Sequence, residues 1–214
     1  MNVNTLNDII GKMAATRPYF YSEADFQHYL ASSLVSRSYT AYLEYPINGD
    51  HIDIILEDQG AFYPIELKYR TKAFSCTGLL GDIITLKDQN AHDLGRYEFW
   101  EDVWRIENIK NMFLPEEKIM EGYVVILTND PAYWTVPNSR QCNTIDRQFK
   151  IHTGNCVQNV HWVNIPSKSH NNPNYVAGKA NYPGLSLTKS YKVPEWIDYS
   201  QLNNDQFKFL TIQV

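Results

Sequence analysis

Residues 50–68 read DHIDIILEDQGAFYPIELK, two strand-forming runs on either side of Gln59-Gly60. Glycine takes up positive φ at no steric cost, so this dipeptide predicts a tight hairpin turn. Pairing outward from the turn sets Leu56 opposite Tyr63 and Asp53 opposite Glu66. Side chains alternate faces along a strand. One face is therefore expected to carry Ile52, Ile54, Leu56, Tyr63, Ile65 and Leu67, and the other Asp53, Glu66 and Lys68. Two carboxylates opposed across a sheet repel each other, and a divalent cation between them removes that cost. The plainer alternative is a solvated strand surface whose Asp53–Lys68 and Glu66–Lys68 pairs contribute little. His51 shares the parity of Asp53 and joins the candidate site, whereas Asp50 falls on the apolar parity and is left out of it.

Around this hairpin, 214 residues with 43% hydrophobic content suffice for one domain with a full core. No apolar run approaches bilayer length, and the opening MNVNTLNDIIGK lacks the succession of a secretory signal. Cys76, Cys142 and Cys156 fit neither a disulfide framework nor a zinc-ligand spacing, so a soluble protein of the reducing cytoplasm, without a membrane partner, is expected. The net charge of −5 is unevenly spread. Residues 139–192 hold seven basic side chains against the single acid Asp146, while residues 1–138 hold 11 basic and 20 acidic ones. That asymmetry suits a basic surface for a polyanion beside an acidic, metal-loading face.

In chain order, Thr5 with Asp8 predicts a capped helix bearing Leu6, Ile9, Ile10 and Met13 on one stripe. Ser22 opens a second helix, SEADFQHYLASSL, with Phe26, Leu30 and Leu34 inward and Glu23 on the same side in its first turn. That carboxylate can serve the helix dipole or the site. Residues 41–47 predict a strand that turns at Asn48-Gly49 into the hairpin, completing a three-strand meander. Gly78 and Gly81 then punctuate the entry to a helical region over 82–112, which Gly95 leaves as one bent helix or two. Gln89, Asp93 and Arg96 form a polar strip along it. GYVVILTND, with four consecutive apolar residues at 124–127, predicts an interior strand covered on both faces, the long helix being its crossover. Beyond residue 130 the chain turns loop-rich, with short strands expected at 160–165 and 207–214 and extended loop over 166–184. There Trp162, Tyr175, Tyr182 and Tyr191 interleave with Lys168, Lys179, Lys189 and Lys192. Such a pattern suits stacked bases among cations, or a peripheral sheet packed on the core with solvated lysines.

An inward Glu on a helix, a meander with Asp on one strand and Glu-x-Lys on the next, then a helix and a buried strand: this order resembles the PD-(D/E)XK nuclease superfamily. Glu23, Asp53, Glu66, Leu67 and Lys68 carry the match, with twelve residues between Asp53 and Glu66. The phrases YSEADFQ, HIDIIL, YPIELKY, DQNAHDLGRYEFWEDVWRIE and EWIDYS are similar to a bacterial group of restriction-type endonucleases. The proline of the superfamily's name is absent, Ile52 preceding Asp53. The resemblance implies an α/β, restriction-endonuclease-like core in αβββαβ order, with a central mixed sheet flanked by helices. Residues 1–20 would be a lead-in to a nuclease-like core at 21–128, and 129–214 a loop-rich extension. It further implies a restriction-type DNA endonuclease using Mg2+ or Mn2+, held by Asp53, Glu66 and the Leu67 carbonyl. Lys68 would position or help deprotonate the attacking water, and Glu23 would support a water at the metal or a second metal. Gln89, Asp93 and Arg96 sit where the superfamily often places a polar helix residue. Arg96 would there meet a phosphate, or else pair within its helix. DNA is the expected partner, and monomer and homodimer are both left open. A non-cleaving binder of nucleic acid or protein, and an RNA- or repair-directed nuclease, are the alternatives.

Overall fold

The computed structural model describes residues 1–47, 49–112, 121–138, 144–163, 179 and 181–214, with residues 110–112 by backbone alone. Two helices come first, α1 (Val3–Met13) and α2 (Glu23–Val35). The α1 cap is Asn2, which accepts from the Thr5 amide at 2.9 Å, and not Thr5 itself. Ser22 caps α2 as expected, accepting from the Asp25 amide at 3.1 Å. Both apolar stripes are buried. The meander follows as β1 (Thr40–Ile47), β2 (Asp50–Asp58) and β3 (Ala61–Arg70), with Leu56 paired to Tyr63. Gln59 and Gly60 both adopt positive φ, 52° and 83°, which a two-residue hairpin of this hand requires.

The next stretch departs from the expected helix. Gly78 and Gly81 shape the tip of a separate hairpin, β4 (Phe74–Thr77) and β5 (Ile83–Leu86), and α3 spans only His92–Met112. Phe74 and Leu86 anchor this hairpin in the core while Leu79 and Leu80 at its tip are bare. The helix α3 runs continuously through Gly95. A Cβ there would collide with the Tyr133 hydroxyl, so the glycine admits the short helix α4 (Pro131–Trp134) close against α3.

β6 (Tyr123–Thr128) lies parallel to β3 and is buried along its whole length. Two late pairs of strands follow: β7 (Cys156–Val160) with β8 (Leu185–Lys192), and β9 (Ile197–Leu202) with β10 (Asp205–Gln213). The protein is therefore mixed α/β with a central six-stranded mixed sheet, ordered β1-β2-β3-β6-β10-β9 and flanked by helices. Its last two strands come from the C-terminal stretch. On one face, α1 and α2 cover Ile54, Leu56, Ile65, Leu67, Tyr69, Val125 and Phe209. On the other, Tyr97, Trp100, Val103 and Ile106 of α3, with the β7–β8 hairpin, cover Val124, Ile126, Leu210 and Ile212. Among the described residues, no helix is long and apolar enough to cross a membrane.

The buried Tyr133 hydroxyl has no hydrogen-bond partner, so its position over Gly95 rests on packing. Gly95→Ala is expected to cost about 1–3 kcal/mol of stability through overpacking. In a Tyr133→Phe background the loss should shrink, because the colliding atom is gone. Urea melts of the four proteins measure the coupling, and equal losses in both backgrounds would refute this packing account.

Candidate active site

The predicted apolar face of the hairpin holds only as far as Ile54. The β2–β3 ladder ends at the Ile54–Ile65 pair, although β2 continues against β1 back to the Asp50–Ile47 pair. Upstream of Ile54 the chain of β2 leaves β3, and Ile52 turns to a small cluster with Ile55 and Ile109. This split strands backbone groups of β3 that a continuing β2 would have paired. The Leu67 amide donates to Asp53 Oδ2 at 2.7 Å and the Tyr69 amide to Glu23 Oε2 at 2.7 Å. A strand residue's N–H and C=O leave by the same edge, so the Leu67 carbonyl faces the gap as well. One turn after Glu23, the buried Gln27 amide donates to the Asp53 carbonyl at 2.7 Å and to Glu44 at 2.6 Å. The first turns of α2 thus wedge the split open. Tyr69 fixes their approach, its hydroxyl donating to the Phe20 carbonyl at 2.9 Å.

Glu66 and Lys68 point from β3 toward α3, where a ladder of opposite charges meets them. Arg70 pairs with Glu98, Lys68 Nζ lies 2.8 Å from Asp102 Oδ2, and Glu66 Oε1 lies 3.2 Å from Arg105 Nη2. Strand residues at a spacing of two match helix residues at spacings of four and three, because the two rises are similar. Asp102 and Arg105 were not picked out from the sequence. Their complementary signs at helical spacing, set against Glu-x-Lys-x-Arg on β3, are the signal that points to them. Arg105 also holds the His51 carbonyl, Asp50 Oδ2 at 3.1 Å and Asp102 Oδ1 at 3.3 Å. Asp50 therefore borders the cluster after all, because β2 has turned by that point.

The electrostatics follow from burial. Glu66 is 2% exposed, and burial, then Asp102 and Asp53, push its carboxyl up to about 10, Arg105 and Lys68 offsetting part of this. Burial likewise raises Asp102 and Glu23, with Lys68 opposing in both. For Lys68, burial works against the charge, but Asp102 and Glu23 outweigh it and hold the ammonium above its ordinary value. Glu66 Oε1 is buried without a hydrogen-bond partner, whereas Asp102 Oδ2 is buried against the Lys68 ammonium.

The remaining candidates lie elsewhere. His51 is exposed at the rim, its Nε2 3.0 Å from Glu44. Gln89 precedes α3 and caps the end of β3, accepting from the Thr71 amide at 2.8 Å. Asp93 pairs with Lys179 at 2.8 Å. Arg96 is buried away from the split, bound to Asp146 and the Ala132 carbonyl and stacked 5.4 Å from the Tyr133 ring, so neither a phosphate contact nor an intrahelical pair describes it. Lys179 lies over Trp162 and Tyr182, and both rings pack on Tyr97 of α3. Lys189 lies over Tyr191, whose hydroxyl is bound to Glu107. These described rings are packed on the core, which favours the peripheral-sheet alternative over a stacking platform. Lys192 is exposed on β8, while Lys168 and Tyr175 fall outside the described residues.

A buried Glu66 oxygen without a hydrogen-bond partner, the Asp53 carboxylate and the Leu67 carbonyl facing the gap are donors of the hard, oxygen-rich kind that Mg2+ or Mn2+ takes, with water filling the rest. No ready-made group of three His, Cys, Asp or Glu side chains exists among the described residues. The donor set fits a divalent ion that takes one or two carboxylates. Comparison with protein-family models, with curated proteins and with solved structures finds no match to this chain.

Burial of Glu66 ties the stability of the fold to pH. With its carboxyl raised from 4.5 to about 10, the fold binds a proton that the unfolded chain releases. Its contribution is full below pH 4.5 and is lost as pH rises toward 10. In metal-free buffer, Glu66→Gln should raise Tm at pH 8 relative to wild type, by about 2–4 °C per kcal/mol relieved. The gain should vanish near pH 4. A variant less stable at pH 8 would mean that Glu66 is charged and held by Arg105.

Proposed function

We propose that this chain is a metal-dependent endonuclease of the PD-(D/E)XK type that hydrolyses phosphodiester bonds in DNA. The carrying observation is that Glu23, Asp53, Glu66 and Lys68 converge where β2 leaves β3, the acids brought there from three elements. The succession of α2, the β1–β3 meander, α3 and a parallel β6 supports a restriction-endonuclease-like core within the mixed sheet. Asp53, Glu66 and the Leu67 carbonyl are the groups to hold Mg2+ or Mn2+. Such a cation, when bound, stabilises charge on the phosphoryl oxygens and the leaving oxygen.

The chain's own residues have separable tasks in this reading. Lys68, kept protonated by Asp102 and Glu23, donates to the attacking water or a phosphate oxygen and offsets its charge. It does not act as the base. Glu23 and Gln27 hold the split open, so that the acids and the Leu67 carbonyl face incoming phosphate. Water adds to phosphorus and gives up one proton to solvent, the bond to the leaving oxygen breaks, and that oxygen takes up a proton in exchange.

A second reading rests on the same contacts. Each member of the set already has a partner within the fold: Glu23 on Tyr69, Asp53 on Leu67, Glu66 on Arg105 and Lys68 on Asp102. That self-sufficiency favours a member that binds nucleic acid or protein without cutting.

Purified protein should nick supercoiled plasmid in Mg2+ or Mn2+ and not in chelator. Asp53→Ala and Lys68→Ala should each lower the rate by at least about 10²-fold. Cleavage that survives in both variants would sink the assignment. A salt-sensitive mobility shift with no cleavage under any divalent ion would select the second reading. Parallel assays on RNA test the substrate.

A further inference from the structure

The three rungs between β3 and α3 are not alike. In two of them the strand carries the cation, Arg70 and Lys68, and the helix the acid. In the third the order is reversed: Glu66 is on the strand and Arg105 on the helix. Glu66 is also the least secured member. Its Oε1 lies 3.2 Å from Arg105 Nη2 yet forms no hydrogen bond there, although it is buried. Arg105, by contrast, is well provided without it. Its guanidinium reaches the His51 carbonyl, Asp102 and the exposed Asp50. Letting go of Glu66 would leave Arg105 with three acceptors, the outermost of them at the solvent edge.

Resting on the metal-dependent reading above, we infer that Arg105 is the resident counter-cation of this site. It sits against the Glu66 carboxyl when no metal is bound and yields it to an incoming divalent cation by shifting its weight to Asp50, Asp102 and the His51 carbonyl. A guanidinium and a divalent ion cannot both neutralise one buried carboxylate at short range, since like charges in so dry a place repel strongly. Metal occupancy and the Arg105–Glu66 pair therefore exclude each other. Arg105 occupies the place beside Glu66 in the empty site and so lowers the affinity of the site for metal. It is a positioning residue, acting through Glu66, and not a catalytic one.

The test uses Mn2+ alone, without nucleic acid, so that binding is read apart from activity. Calorimetric titration of wild type, Arg105→Gln and Asp53→Asn at one pH should give binding that Asp53→Asn abolishes and Arg105→Gln tightens about tenfold or more. In wild type, modification of Arg105 by a dicarbonyl reagent, read by mass spectrometry, should rise on adding Mn2+, while buried Arg96 stays protected. Should Arg105→Gln fail to fold, that labelling decides alone. Asp53-dependent Mn2+ binding that is equal or weaker in Arg105→Gln, or flat Arg105 labelling, overturns the inference and leaves the metal-dependent reading standing. No Asp53-dependent binding in either wild type or Arg105→Gln removes both.

Discussion

Once β2 leaves β3 beyond the Ile54–Ile65 pair, the amides of Leu67 and Tyr69 need acceptors inside the protein, and no backbone remains to offer them. Each unpaired buried N–H would cost on the order of 1–3 kcal/mol. Asp53 and Glu23 fill the two places with carboxylates, and Gln27 secures the matching carbonyl on the departing strand. The arrangement is structural in the first instance, because it terminates a ladder. It is chemical in the second, because it gathers acidic side chains and an open carbonyl at one point of an otherwise closed sheet.

Acids so placed need positive charge nearby, and α3 supplies the frame for it. A helix that carries Glu98, Asp102 and Arg105 in one line faces a strand that carries Arg70, Lys68 and Glu66. Pairing of this kind in a dry setting adds little net stability but fixes geometry, since a slip by one rung would set like charges together. Trp100, Val103 and Ile106, packed against β6 and β10, hold α3 in that register. The C-terminal strands thus bear on the site indirectly. They complete the sheet and the apolar layer on which α3 rests, and Lys179, Trp162 and Tyr182 belong to that layer.

Local patterns carried a large part of this fold. The Gln59-Gly60 turn sets the Leu56–Tyr63 register, the stripes of α1 and α2 follow from helical periodicity, and the run at 124–127 identifies an interior strand. Each of these depends on residues within one element, so spacing alone suffices to read it. The start of α3 is not legible locally, because Gly78 and Gly81 punctuate a hairpin as readily as a helix and nothing nearby separates the two. Gly95 looked like a break, but its purpose is contact with Tyr133, from a distant part of the chain.

By itself, then, the sequence determined the hairpin, the face shared by Glu66 and Lys68, and the helix that carries Glu23. Tertiary structure decided the rest: that β2 parts from β3, that Gln27 and Glu23 stand in the parting, and that Asp102 and Arg105 close over Lys68 and Glu66. It also removed Arg96 from the site and brought Asp50 to its border. The physical reason is that alternation and periodicity are properties of a single strand or helix. Which charge meets which, and where a ladder must end, depends on how separate elements are laid against one another by the core between them.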